Sequence, residues 1–125
     1  MILLDTSVLI EMLGAGGSMR AELRAAIHRG DRLTLATLVL YEWLRGPRMP
    51  EELQAQEALF PSSDALTFGP QEARLAADLY RTVSRPRGRE LDLAIAACAL
   101  SWDAGIWTLN PSDFHDIPGL EVRGR

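Results

Sequence analysis

Short apolar runs alternate along this chain with longer stretches whose apolar positions recur at helical spacing, and Gly, Pro or Asp stands at most boundaries between them. Ile2 to Leu4 is a continuous apolar run ending at Asp5, and Thr6-Ser7 leads into Val8 to Leu13, a strand–turn–helix pattern. Gly14-Ala15-Gly16-Gly17 ends that helix. Ser18 is placed to cap a second one reaching Arg29, with Leu23, Ala26 and Ile27 on one face and Gly30-Asp31 after it. Leu33 to Ala36 reads as a second strand. Thr37 is positioned to cap a helix through Arg45, stopped by Gly46-Pro47, and Pro50 begins another that ends before Pro61. Leu66 to Phe68 predicts a third strand. Pro70 opens the longest helix, with Ala73, Ala76, Ala77, Leu79, Tyr80 and Val83 at helical spacing until Pro86-Arg87-Gly88 breaks it. Asp92 to Trp102 is the next helix, Ile106 to Leu109 a fourth strand, Asn110-Pro111-Ser112-Asp113 a turn, and Leu120 to Val122 a candidate fifth strand.

Strands alternating with helices predict an α/β sandwich with a mainly parallel sheet of about 4–5 strands, because parallel neighbours need helical crossovers. The length, 125 residues with 47% apolar, suits one domain over 1–125 with a single core. Neither Ile2 to Leu4 nor Leu91 to Leu100 is long enough to span a bilayer, and no secretion signal is visible, so a cytoplasmic protein with no membrane attachment is expected. Cys98, the single cysteine, sits in Ala96-Ala97-Cys98-Ala99-Leu100 as a small buried thiol.

Charge changes the picture more. All 13 basic residues are arginine. Mechanisms that need an ammonium, such as a Gly-Lys phosphate loop, a Schiff base or lysine-assisted aspartyl phosphotransfer, are excluded. The net charge of −4 offers no global attraction to a polyanion, so nucleic-acid binding would depend on local arginines or metal ions.

In such a sheet the reactive edge lies beyond the carboxyl ends of the strands. Asp5 and Asp113 fall past strand ends, Asp92 opens a helix, and Glu42 interrupts the apolar helix Leu38-Val39-Leu40-Tyr41-Glu42-Trp43-Leu44. Each has a plain alternative when taken singly. Asp5 and Asp92 are natural first-turn acids, Asp113 a natural turn residue, and Glu42 could sit on a narrow solvent stripe or pair with Arg45. Gathered at one edge, these carboxylates would repel one another, an arrangement that persists where a cation offsets it. The donor set is all oxygen, with His28 and His115 read as surface residues. That suits Mg²⁺ or Mn²⁺ rather than zinc, and such ions serve phosphodiester hydrolysis.

The opening Ile2-Leu3-Leu4-Asp5-Thr6-Ser7-Val8-Leu9-Ile10 resembles that of PIN-domain proteins, particularly VapC-type toxins. Tyr41-Glu42-Trp43-Leu44-Arg45-Gly46 resembles the family's Glu-Leu-Leu-Arg-Gly helix, Asp92-Leu93-Ala94-Ile95-Ala96-Ala97 its Asp-Xaa-Xaa-Ile-Ala-Ala helix, and Thr108 to Phe114 its Asn-Xaa-Xaa-Asp-Phe turn. Ile117 to Val122 resembles the usual ending, and the blocks occur in order along the whole chain. The resemblance implies a PIN-like three-layer sandwich and an Mg²⁺- or Mn²⁺-dependent endoribonuclease, a homodimeric toxin silenced by a VapB-type antitoxin. Carried over by position, Asp5, Glu42, Asp92 and Asp113 become the catalytic metal-site acids, with Asp5 and Asp92 the principal ligands and Thr6 and Asn110 donors that orient them.

Arg81, Arg85, Arg87 and Arg89 crowd the stretch before Asp92, and the last three are candidate RNA-phosphate contacts set against the alternative of solvated loop cations. Trp43, Trp102 and Trp107 each lie in an apolar pattern and are expected in the core. A haloacid-dehalogenase-like phosphatase would need a second aspartate where Ser7 stands, and both it and a receiver domain need a lysine. The remaining alternative is a non-catalytic PIN-like module that binds RNA or protein.

Overall fold

The structure, a computed structural model, describes residues 1–124. Along the chain run β1 (Ile2–Leu4), α1 (Thr6–Leu13), α2 (Arg20–His28), β2 (Leu33–Thr34), α3 (Thr37–Arg45), α4 (Pro50–Leu59), α5 (Pro70–Thr82), α6 (Glu90–Ser101), β3 (Gly105–Trp107) and β4 (Val122–Arg123). Single 3-10 turns occupy Ser62–Asp64 and Pro111–Asp113. The strands form one parallel sheet in the order β2-β1-β3-β4, with Ile2 opposite both Leu33 and Gly105, and Ile106 opposite Val122. Successive side chains on a strand face opposite sides of the sheet. Leu3 and Leu4 are both buried, as are Ile106 and Trp107, so both faces are covered, as the helical crossovers of a parallel sheet require.

Helix α6 packs on α5, α3 and β3, and α1 packs on α2, α3 and α4. Ile95, Ala96, Ala97, Cys98 and Ala99 are fully buried, because small side chains on most sides of α6 let its neighbours approach closely. Trp43 and Trp107 lie in the core, each under an arginine: Arg48 is 4.1 Å from the Trp43 ring and Arg123 3.7 Å from the Trp107 ring. Trp102 departs from the expected core placement and is 51% exposed. It closes α6, and the left-handed turn at Asp103 (φ 51°) sends Ala104 inward while Trp102 stays outside.

Four local expectations are corrected. Leu66 to Phe68 is no strand: Leu66 makes one parallel bridge to Ala36, then the Phe68 N–H donates to Thr37 Oγ1 at 3.3 Å and Gly69 N–H to Glu72 at 3.0 Å as the chain turns into α5. Thr37 therefore does not cap α3, and Ala36 takes that position. Ser18 does not cap α2 either, since its hydroxyl donates to Glu11 at 2.6 Å and the helix begins after Met19. The strand predicted to reach Leu109 stops at Trp107, because the Leu109 N–H leaves the ladder for Ser7 Oγ at 3.1 Å.

Candidate active site

The carboxyl ends of parallel strands share one edge, and Asp5 is the first residue past β1. Its backbone carbonyl accepts the Val8 and Leu9 N–H groups, which starts α1, yet its carboxylate makes no capping bond. Instead Oδ2 accepts the Ser7 hydroxyl at 3.0 Å and the Thr108 hydroxyl at 2.8 Å. Ser7 Oγ accepts the Leu109 N–H, and Thr108 Oγ1 accepts the Asn110 N–H at 3.0 Å. Two hydroxyls that are themselves fixed by backbone donors thus aim a carboxylate only 7% exposed, tying the end of β1 to the end of β3. Asp5 stands at the N-cap of α1 without a side-chain capping bond, so its carboxylate serves Ser7 and Thr108 rather than the helix end.

Glu42 lies on α3, which packs on α1. The Thr6 hydroxyl donates to its Oε1 at 2.6 Å, while Arg45 reaches Oε2 only at 3.6 Å. The pairing with Arg45 considered from sequence is present but is the longer contact. Helix α3 is not sealed in the core either: Tyr41 and Leu44 are exposed, so its apolar look overstates its burial.

Asp92 lies in the first turn of α6. Burial pushes its carboxyl up to about 6, and Asp113, Asp5 and Glu42 add to the shift in that order, with Arg89 opposing. All three other acids therefore act on Asp92, which places the four in one electrostatic neighbourhood. Asp113 sits in the 3-10 turn Pro111–Asp113, its N–H bonded to the Asn110 carbonyl at 3.0 Å. Among the described residues, no three acidic, histidine or cysteine side chains are drawn into a finished metal cage. The site is a set of acids within electrostatic reach of Asp92 rather than a closed box.

Thr6 is where a donor to the acids was expected. Asn110 contributes its backbone N–H to Thr108, with its residue exposed. Ser7 and Thr108 were missed. The available signal was Thr108 itself, a hydroxyl closing the apolar run Ile106-Trp107, and it is fully buried. His28 and His115 are exposed, and Cys98 is buried, its thiol pushed up to about 11 by that burial.

The arginines divide. Arg85 and Arg87 are exposed on the loop between α5 and α6, and Arg81 pairs with Asp78. Arg89 is engaged within the protein: one terminal nitrogen donates to Asp116 Oδ2 at 2.9 Å and Ser84 O at 3.2 Å, the other to Asp116 Oδ1 at 2.6 Å and Asp113 O at 3.0 Å. Those bonds occupy all its terminal N–H groups, so a phosphate could reach only Nε without breaking them.

The chain is similar to known proteins over nearly its whole length. A protein named Ribonuclease VapC19, from Mycobacterium tuberculosis, is 32% identical over 123 residues, covering 97% of this chain and 98% of that one. FitAcB from Neisseria gonorrhoeae superposes with a TM-score of 0.73 at 23% identity, covering 99% and 97% of the two chains. DNA-bound VapBC from Salmonella typhimurium gives 0.71 at 23%, covering 98% and 96%. VapBC-1 from nontypeable Haemophilus influenzae gives 0.69 at 25%, covering 99% and 98%. The PIN domain model matches residues 2–120. On this match and the shared fold, the chain belongs to the PIN-domain family.

Proposed function

We propose that this protein is an Mg²⁺- or Mn²⁺-dependent endoribonuclease and the toxin of a VapBC-type toxin–antitoxin pair. The observation that carries the reading is the electrostatic reach of Asp113, Asp5 and Glu42 to Asp92, whose carboxyl is pushed up to about 6 chiefly by burial and further by those three acids. An all-carboxylate donor set fits a hard divalent ion. Mg²⁺ in particular keeps several waters and needs only one or two protein carboxylates beside the substrate phosphate, so a loose set of acids suffices.

Asp5 and Asp92 would be the principal ligands, with Glu42 and Asp113 completing the shell directly or through water. Thr108 and Ser7 hold Asp5 in place, and Thr6 holds Glu42. When bound, the metal would polarise the scissile phosphate and supply an acidified water. Arg85 and Arg87, exposed on the loop before α6, would draw the RNA backbone to an otherwise acidic molecule. The 32%-identical relative named a ribonuclease and the VapBC complexes among structural neighbours support the substrate class and an antitoxin partner; a homodimer follows from the resemblance alone. Among the described residues, no helix is long and apolar enough to cross a membrane.

The test is incubation of purified, antitoxin-free protein with total RNA in Mg²⁺, Mn²⁺ or chelator, with new internal 5′ ends mapped by sequencing. Metal-dependent internal cuts are expected. Absence of cutting with either metal would favour the non-catalytic binding module.

A further inference from the structure

Asp92 and Asp113 reach the acid cluster from different directions. Asp92 rides on α6, whereas Asp113 sits on an irregular segment after β3. That segment is anchored to the core by Phe114 and Ile117, both buried, and the 3-10 turn closes on itself through bonds such as Asp113 N–H to Asn110 O. What joins the turn to α6 is Arg89. It immediately precedes α6, its side chain is 20% exposed, and its planar fork grips both Asp116 carboxylate oxygens while one arm also takes the Asp113 carbonyl and the other the Ser84 carbonyl. Asp116 is 43% exposed, so the pair rests on its bidentate geometry and on the two carbonyls that share the fork, the arrangement in which an arginine–carboxylate pair fixes position. A lysine could not reproduce it, since an ammonium is a point charge without a fork.

We propose that Arg89 is a positioning residue, a latch with Asp116 that holds the Asp113 turn against the start of α6 and so sets the spacing of Asp113 from Asp92. Its role is therefore distinct from that of Arg85 and Arg87: it shapes the metal site instead of gripping RNA. The latch rests on the metal-site reading above. It predicts that Asp116, which points into the latch from outside the acid cluster, matters for metal binding as much as Arg89 does.

The test compares wild type, Arg89→Lys, Asp116→Asn and the double variant by the rise in melting temperature on Mn²⁺ titration, and by kcat and KM on one RNA substrate. Each single variant should need about tenfold more Mn²⁺ for half its thermal response and for half-maximal kcat, with RNA KM unchanged. The double variant should be no worse than either single one, because both break the same contact. Asp116→Asn keeps shape and volume, so it remains informative if Arg89→Lys folds poorly. A wild-type Mn²⁺ response retained unaltered by both variants would overturn the latch while leaving the metal site standing. So would a raised RNA KM with a shallower salt dependence in Arg89→Lys alone, which would mark Arg89 as a phosphate contact. Failure of wild type itself to respond to Mn²⁺ would overturn the metal-site reading and the latch with it.

Discussion

At Asp92 the fold holds a carboxyl where burial and three neighbouring acids all oppose its charge, raising it from 3.8 to about 6. A raised value means the folded chain binds the proton more tightly than the unfolded one. The resulting stabilisation is full below about pH 3.8 and is lost as pH rises through about 6. Asp116 and Glu57, both lowered, act in the opposite sense, so the informative quantity is a difference between two proteins. Without metal, Asp92→Asn should melt with wild type near pH 4 and above it past pH 6; a melting difference constant across that range would contradict the account. Thr108→Val removes a buried hydroxyl that donates to Asp5 and accepts from Asn110. It should cost about 1–3 kcal/mol in chemical denaturation and weaken Mn²⁺ binding about 10–100-fold. The acids stood out in the sequence only as a set, since Asp5, Asp92 and Asp113 are each natural turn or helix-start residues, and it was the family resemblance that singled out their positions. Thr108 and Ser7 did not stand out, because a hydroxyl beside a turn has many local uses and only the pairing of β1 with β3 brings Thr108 to Asp5, 103 positions away.

Among the elements, α6 does the most to place the site, carrying Asp92 at its start and a run of buried small residues behind it. Ala97→Leu would force extra volume into a fully buried position between α6 and its neighbours. We expect a loss of about 1–3 kcal/mol in denaturant unfolding, with Mn²⁺ binding weakened only as far as the start of α6 shifts. A neutral Ala97→Leu would show that this helix is less tightly packed than its burial indicates. The helices were readable from their periodicity and punctuation, but short strands and caps were not. Leu66 looks like a strand residue and makes one bridge; Thr37 and Ser18 look like caps, yet tertiary partners, the Phe68 N–H and Glu11, claim their hydroxyls. In each case a contact beyond the element itself outcompeted a local preference.

For the whole molecule, the proposed metal site together with a net charge of −4 would make the metal-free protein the less stable form. Millimolar Mn²⁺ should raise the melting temperature of wild type and have little effect on Asp5→Asn. The order of the four acids along the chain was legible from sequence, and so was the parallel architecture that gathers them. The occupied guanidinium of Arg89 was not, since its acceptors lie on segments a linear reading keeps apart. The most direct test of the central claim is anomalous scattering from crystals soaked in Mn²⁺. The account predicts a manganese peak at the carboxyl edge of the sheet, contacted by Asp5 and Asp92. No peak there at saturating Mn²⁺, in protein whose RNA cleavage still requires Mn²⁺, would contradict it.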